Sequence, residues 1–296
     1  MSTSWVDFPL LKTTTTEKIK PAIVVALAMI VMHAKAQYWQ TGRTAVPDPE
    51  PKLPVASAQA QKPNIILILA DDVGYKSLTC NGGNLYSTPN IDKLAQNGMR
   101  FTQCRATPLC SPSRFMLLTG KYNFRNYGRY GVLGRDQKTI GNMMKEAGYK
   151  TAAFGKWQLD GGDLSAHAFG FENYCLWNPY NAQTQEGGFK YKNPELFTHG
   201  DYLPDSATLN KYGPDIVSDS MLSFIGNNKS KPFFIYYPMI LVHNPFNPTP
   251  DDPAFATWDP DNKSDTSFFH PMMRYMDKEI GRLVTRLKIL ESKKIQ

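Results

Sequence analysis

The chain has few cysteines and few histidines, and it has no long hydrophobic run. Its 296 residues include 4 cysteines and 5 histidines, too few for a small scaffold held together by disulfides. It also has no arginine-rich run and no interleaving of basic and aromatic residues, so nothing in it indicates nucleic-acid binding. The net charge of +7 suits an acidic substrate, although solvated surface lysines explain it equally well.

The longest apolar run is near the N-terminus and covers only residues 22–32. Spanning a bilayer takes about 20 apolar residues, so we expect no stable membrane span. Lys18 and Lys20 precede the run and Ala34-Lys35-Ala36 follows it, which is the pattern of a secretory signal peptide. We therefore predict a signal peptide over residues 1–36, cleavage after Ala36, and export to the periplasm or the extracellular space.

Residues 37–62 are predicted to form a linker rich in proline and alanine. Pro47, Pro49, Pro51 and Pro54 occur close together, and proline at this density prevents a regular helix or strand. We place the folded domain at residues 63–296.

Apolar patterns in this domain predict strands that alternate with helices. Continuous apolar runs predict buried strands at 65–69, 149–154 and 233–237. Helices are expected at 88–98 with Thr88 as N-cap, at 111–118, at 139–147 and at 267–290. The alternation predicts an α/β fold with a mostly parallel central sheet and helices on both faces.

Chemically useful side chains follow three of the predicted strands. They are Asp71 and Asp72, Lys156, and His243. Ligands of parallel sheets bind beyond the carboxyl ends of the strands, so we expect these groups to form one site. Adjacent carboxylates repel each other unless a cation lies between them, and their hard oxygens favour calcium or magnesium; a solvated acidic turn is the alternative.

The most informative segment comprises residues 110–120. Cys110, Pro112 and Arg114 stand at alternate positions, and Leu118-Thr119-Gly120 completes the pattern. An isolated cysteine usually packs in a core or forms a disulfide. Here it begins a predicted helix, whose free N–H groups and positive dipole end favour an oxyanion.

This segment resembles the signature of the sulfatase family, the formylglycine-dependent arylsulfatases of the alkaline-phosphatase-like superfamily. The resemblance implies that a formylglycine-generating enzyme or an anaerobic sulfatase-maturing enzyme oxidises Cys110 to formylglycine. It also implies that Asp71, Asp72 and residue 110 bind Ca²⁺, or less commonly Mg²⁺, and that Arg114 supports the nucleophile.

Residues 148–157 resemble the second signature of the family, which gives Lys156 the role of binding a sulfate oxygen. By the same resemblance, His243 contacts the sulfate ester and protonates the leaving alcohol. The family usually has a histidine two places after this lysine, where the chain has Gln158. Glutamine cannot take up a proton at neutral pH, so either another base serves or turnover is impaired.

The resemblance covers only the N-terminal part of a typical sulfatase, so the chain is expected to be C-terminally truncated and to lack an Asp-Asn metal pair. Three functions stay open: a hydrolase of aryl or carbohydrate sulfates, a phosphate or phosphonate ester hydrolase, and an inactive remnant. Four aromatic residues are candidates either for a sugar-binding cleft or for the core, namely Trp157, Tyr174, Trp177 and Tyr180. Lys121 and the remaining histidines of the domain, His167, His199 and His270, are predicted to have no functional role.

Overall fold

A single sheet of seven strands organises the described part of the chain. This computed structural model describes residues 24–26, for the backbone only, together with 62–177 and 188–292. The strands are β1 (Val24–Ala26), β2 (Ile65–Leu69), β3 (Lys150–Lys156), β4 (Asn173–Trp177), β5 (Leu196–Thr198), β6 (Asp201–Tyr202) and β7 (Phe233–Pro238). Their order is β1-β2-β7-β3-β4-β5-β6; the β4–β5 and β5–β6 pairings are antiparallel, and the other four are parallel. The predicted mostly parallel sheet is confirmed.

The central strands β2, β7 and β3 carry nearly continuous apolar residues because both of their faces are covered. Every residue of β7 is buried. Along β2, Ile66 and Ile68 belong to one hydrophobic cluster and Leu67 to another. Successive side chains of a strand point to opposite faces, so these clusters are the two cores of the domain.

Seven helices accompany the sheet in the described residues. They are α1 (Pro89–Gln96), α2 (Cys110–Thr119), α3 (Ile140–Glu146), α4 (Gly162–Ala168), α5 (Asp205–Thr208), α6 (Gly213–Asn227) and α7 (Phe269–Ser292). Buried residues of α1, α6 and α7 belong to the cluster of Ile66. Residues of α2, α3 and α4 belong to the cluster of Leu67. Helices therefore cover both faces, as predicted.

Helix α7 confirms the predicted apolar stripe and also caps another helix. Five of the six stripe residues are buried and Leu290 is partly buried: Met272, Met276, Ile280, Leu283 and Leu287. Thr88 holds the N-cap position of α1, but its side chain makes no capping hydrogen bond. Instead the buried carboxylate of Asp277 accepts the backbone N–H groups of Asn90 and Ile91 at 2.9–3.1 Å. The predicted N-cap position of Thr88 is confirmed, while the acceptor for the first N–H groups of α1 comes from the distant Asp277 and not from the Thr88 side chain.

The N-terminal predictions lie almost entirely outside the described residues. Of the signal peptide only Val24–Ala26 is described, pairing in parallel with β2 over three residues, and of the linker only Lys62. The signal peptide and the linker stay predictions. No helix in the described ranges combines the length and the apolar character needed to cross a membrane.

Candidate active site

The carboxyl ends of β2, β7 and β3 lie side by side and bring the predicted residues together. Asp71 follows β2, and its backbone exchanges hydrogen bonds with Leu241 and Val242, which follow β7. These bonds join the two loops and position His243. Gly155 allows β3 to approach β7 closely, because a Cβ there would lie 2.0 Å from the Pro238 carbonyl oxygen. The next residue, Lys156, therefore reaches the same edge of the sheet.

Asp71 is the carboxylate at the centre of this edge. The Lys156 Nζ donates to Asp71 Oδ2 at 2.5 Å, and Arg114 Nη2 lies 3.4 Å from Asp71 Oδ1. All three side chains are buried, with exposed fractions of 4% or less. Burial alone would raise the pKa of Asp71, but the charges of Arg114 and Lys156 outweigh it and lower this pKa below its usual value. Asp71 is therefore held as a carboxylate.

Arg114 lies one turn inside α2, the helix that Cys110 begins. Its Nη1 donates to the Lys156 backbone carbonyl at 2.9 Å, which ties α2 to β3. Among the described residues, its Nε makes no hydrogen bond and its Nη2 has only the ion-pair contact with Asp71 at 3.4 Å; the buried hydroxyl of Ser111 also makes no hydrogen bond. Buried donors without acceptors are uncommon in folded proteins. Together with the positive dipole end of α2, which begins at Cys110, they make the region around Cys110 suited to an anion.

The side chain of Cys110 contacts two polar groups. Its Sγ lies 3.2 Å from Gln158 Oε1 and 3.7 Å from the Tyr130 hydroxyl. Gln158 also donates through Nε2 to Tyr130, so the three side chains form one connected group. Gln158 has a φ of 54°, in the left-handed region that few residues other than glycine and asparagine adopt. The residue that replaces the expected histidine therefore lies directly against residue 110.

His243 lies near the Asp72 carboxylate and contacts Lys190, a lysine that no sequence pattern indicated. Its Nε2 lies 3.7 Å from Asp72 Oδ2, and its Nδ1 lies 2.7 Å from Lys190 Nζ. Burial, Lys190 and Lys156 together lower the pKa of His243. Burial and the charge of Lys156 lower the pKa of Lys190 to about 7. No local pattern could have found Lys190, because it follows no predicted strand.

The carboxylate oxygens of Asp71 and Asp72 are suitable ligands for a hard divalent cation, but these two side chains supply too few ligands to complete its coordination. Asp72 is 57% exposed with a φ of 57°, while Asp71 is engaged by two cations. The described residues contain no group of three or more histidine, cysteine, aspartate or glutamate side chains able to hold a metal. Calcium takes 6–8 oxygen ligands. The two carboxylates therefore fit a divalent cation in kind but do not by themselves complete its coordination.

The other residues considered from the sequence lie in ordinary structural surroundings. Trp157, Tyr174 and Trp177 are buried in the two cores, and Tyr180 lies outside the described residues. His167, His199 and His270 are exposed and contact Asp163, Tyr174 and Tyr86, respectively. Lys121 is partly buried and donates to Gln137 at 2.6 Å.

Curated relatives of the chain are sulfatases from bacteria and animals. The N-acetylglucosamine-6-O-sulfatase of Bacteroides thetaiotaomicron is 33% identical over 196 residues, which cover 65% of this chain and 33% of the relative. The N-acetylgalactosamine-6-O-sulfatase of the same organism is 29% identical, with coverages of 78% and 57%. Human arylsulfatase D is 43% identical over 123 residues, or 36% of this chain and 20% of the relative. The chain thus spans between one fifth and just under three fifths of these relatives.

Solved structures also resemble this chain. A protein crystallised with its substrate D-glucosamine-2-N,6-O-disulfate matches with a TM-score of 0.55 and 33% identity, over 64% of this chain and 37% of that one. A protein solved with a neocarrahexaose matches with a TM-score of 0.64 and 28% identity, over 78% and 56%. The Sulfatase family model matches residues 63–294. The chain therefore belongs to the sulfatase family.

Proposed function

We propose that the protein hydrolyses sulfate esters of carbohydrates or aryl alcohols at the edge of the sheet where Cys110, Arg114 and Lys156 meet. The observation that carries this proposal is the unused donor capacity of buried Arg114 beside Cys110. A buried guanidinium with free N–H groups, next to a helix N-terminus, binds a tetrahedral oxyanion well. Membership of the sulfatase family supports sulfate as that group.

Residue 110 is proposed to carry the nucleophile. A formylglycine made from Cys110 would supply a hydrated aldehyde: one hydroxyl oxygen would attack sulfur as the S–O bond to the alcohol breaks, and the second hydroxyl would then lose its proton to a base as the aldehyde re-forms and expels sulfate. The contacts of residue 110 with Gln158 and Tyr130 suit a side chain that bears hydroxyl groups. In this scheme Gln158 orients residue 110 but does not remove a proton from it.

The remaining residues act on the sulfate group and on the leaving alcohol. Arg114 and Lys156 hold sulfate oxygens and stabilise the negative charge that builds up on them. His243 donates the proton on Nε2 to the oxygen of the departing alcohol, while Nδ1 faces Lys190.

Asp71 and Asp72 are proposed to hold a divalent cation, preferentially calcium, together with residue 110 and ligands outside the described residues. Such a cation would supply positive charge beside the nucleophilic oxygen.

The substrate class, the partner and the location are also proposals. Two of the bacterial relatives are named for 6-O-sulfated N-acetylhexosamines, which supports a sulfated glycan as substrate. A formylglycine-generating or anaerobic sulfatase-maturing enzyme is the proposed partner that modifies Cys110. Export to the periplasm or the extracellular space follows from the predicted signal peptide.

The test uses the full chain, produced in a host that makes formylglycine. Mass spectrometry of the peptide that contains residue 110 should show the aldehyde in place of the thiol. The protein should release sulfate from 4-nitrocatechol sulfate or from N-acetylglucosamine 6-sulfate in the presence of calcium. The Cys110→Ala variant should have no measurable activity, since it lacks the nucleophile.

The same experiment discriminates the alternatives. A phosphonate monoester hydrolase shares the fold at a TM-score of 0.55 with 20% identity, so an aryl phosphonate is assayed in parallel. Turnover of the phosphonate alone would replace the sulfatase assignment. An unmodified Cys110 together with no turnover of any ester would indicate an inactive member of the family.

A further inference from the structure

Lys190 occupies a closed environment beside His243. Its side chain is 6% exposed, and its Nζ lies 5.0 Å from the ring centre of Trp177 and 5.4 Å from that of Tyr191. The same Nζ donates to the backbone carbonyl of Asn244 and lies 2.7 Å from His243 Nδ1. Two aromatic faces, a carbonyl and an imidazole nitrogen therefore surround the ammonium group.

This arrangement bears on which nitrogen of His243 carries the proton. His243 Nδ1 lies within hydrogen-bond distance of two groups, Lys190 Nζ at 2.7 Å and the Asn244 carbonyl oxygen at 2.5 Å. With a proton on Nδ1, the ring would donate to the carbonyl oxygen. A lysine ammonium group has only donors, so a charged Lys190 requires Nδ1 to accept and leaves the proton on Nε2. The backbone therefore accommodates both tautomers, and Lys190 at Nδ1 favours the one with the proton on Nε2, as does the Asp72 carboxylate 3.7 Å from Nε2.

We propose that Lys190 is a positioning residue that holds His243 in the tautomer whose proton lies on Nε2. The catalytic consequence rests on the proposed function, in which Nε2 protonates the leaving alcohol. The tautomer itself does not depend on that function, and it can be measured without a substrate.

The segment that carries Lys190 is fixed by other contacts. The Tyr191 hydroxyl donates to the backbone carbonyl of His243. The Lys192 Nζ donates to the carbonyls of Phe255, Ala256 and Trp258, each at 2.9 Å. Removing the Lys190 ammonium group should therefore change the hydrogen bond to His243 without releasing the segment.

The charges around Lys190 are compatible with this role. Those that influence it most belong to Lys156, Asp71, Asp72 and Cys110, and it also faces His243. None of the described carboxylates forms an ion pair with Lys190 within 4.0 Å, so its donors are directed to His243 and to the Asn244 carbonyl. With the pKa of Lys190 lowered to about 7 by burial and by Lys156, the ammonium form predominates below neutral pH.

The direct test is ¹⁵N NMR of the full chain labelled at its histidines, recorded near pH 6.5. The His243→Gln variant assigns the resonances of His243 by their loss. In the wild type these resonances should report a proton on Nε2. In Lys190→Met they should report a mixture of tautomers or a proton on Nδ1, and Lys190→Arg, which keeps a cationic donor, should restore the wild-type pattern. A wild-type proton on Nδ1, or a Lys190→Met spectrum identical to the wild type, would overturn the proposal.

Kinetics then connect the tautomer to catalysis. A general acid matters most when the leaving group is poor. Lys190→Met should therefore lower kcat by about 10- to 100-fold for an alkyl or sugar sulfate, with a much smaller effect on 4-nitrophenyl sulfate. KM should change little, and Lys190→Arg should recover most of the loss. Equal losses for both substrates would contradict the proposal, whereas a wild type that hydrolyses neither ester would refute the proposed function and leave the NMR result to decide the tautomer.

Discussion

Two clusters of buried or half-buried charge lie in this domain, and they are built on opposite principles. At the edge of the sheet, Asp71 is surrounded by Arg114, Lys156 and, farther away, Lys190 and His243. Between α6 and α7, the Arg282 guanidinium lies among three carboxylates, those of Asp215, Asp219 and Glu279. The first cluster has an excess of positive charge and the second an excess of negative charge.

The two clusters also differ in how fully their hydrogen bonds are formed. Arg282 donates to both oxygens of Glu279, at 2.9 and 3.1 Å, and to Asp219. Asp215 accepts the Tyr275 hydroxyl at 2.7 Å. Arg114, by contrast, keeps unused donors although it is buried. The helix cluster is complete within the chain, whereas the sheet-edge cluster has capacity for an anion, and this difference separates a structural network from a candidate site.

Among the charged residues of the two clusters, Lys156 should show the largest effect on activity when it is replaced by methionine. The variant removes one of two cations proposed to bind sulfate oxygens, and the loss of one such group typically costs about 10²- to 10³-fold in rate. The fold should be retained, because Asp71 keeps its ion pair with Arg114. The measurement is kcat/KM for the aryl sulfate together with the free energy of unfolding.

Lys138→Met is the matched control for this prediction. Lys138 is 60% exposed and, within the described part of the chain, its one ion pair is with Glu146 at the surface. Its loss should leave both quantities nearly unchanged. Activity of Lys156→Met within about threefold of that of Lys138→Met would show that the cationic excess does not serve the reaction.

The excess of positive charge at the sheet edge should also make the free energy of unfolding depend on pH. Burial and Lys156 lower the pKa of Lys190 to about 7 in the folded protein, against 10.5 for an ordinary lysine. At pH values between about 7 and 10.5, Lys190 is mostly protonated in the unfolded chain and mostly deprotonated in the folded protein. Stability should therefore rise with pH in this window, by up to about 1.4 kcal/mol per pH unit.

Urea unfolding of the wild type and of Lys190→Met at pH values from 7 to 9 tests this dependence. The free energy of unfolding of the wild type should increase relative to that of the variant as the pH rises. If the free energies of unfolding of the two proteins changed in parallel with pH, the burial of Lys190 beside Lys156 would not lower its pKa.

The sequence predicted those parts of the fold whose patterns are local. Strands β2, β3 and β7 and helices α1, α2, α3 and α7 were expected within two or three residues of their observed ends. The strands β4, β5 and β6 and the helices α4, α5 and α6 were not predicted. Strands β5 and β6 have only three and two residues, and such short elements depend on pairing with distant residues.

The site residues divide in the same way into those that local patterns predict and those that only tertiary folding brings to the site. Asp71, Cys110, Arg114, Lys156 and His243 were predicted from motifs and strand ends, and the structure brings them together at one edge. Lys190 and Tyr130 belong to no motif, and only tertiary folding places them against His243 and Cys110.

Replacing Arg282 by methionine should have the smallest effect, and it should act on stability alone. Glu279 is fully buried, so the loss of Arg282 leaves its carboxylate without the cation that pairs with it. Arg282 itself is one third exposed, which reduces the cost to about 1–2 kcal/mol in the free energy of unfolding.

The double variant Arg282→Met/Glu279→Gln should recover part of this loss, because it removes the uncompensated charge. The activity of both variants should equal that of the wild type, since the helix cluster is complete within the chain. A fall in kcat/KM that exceeds the loss of folded protein would show that unused hydrogen-bond capacity does not distinguish the two clusters. Arg114 would then lose its main support as an anion-binding residue.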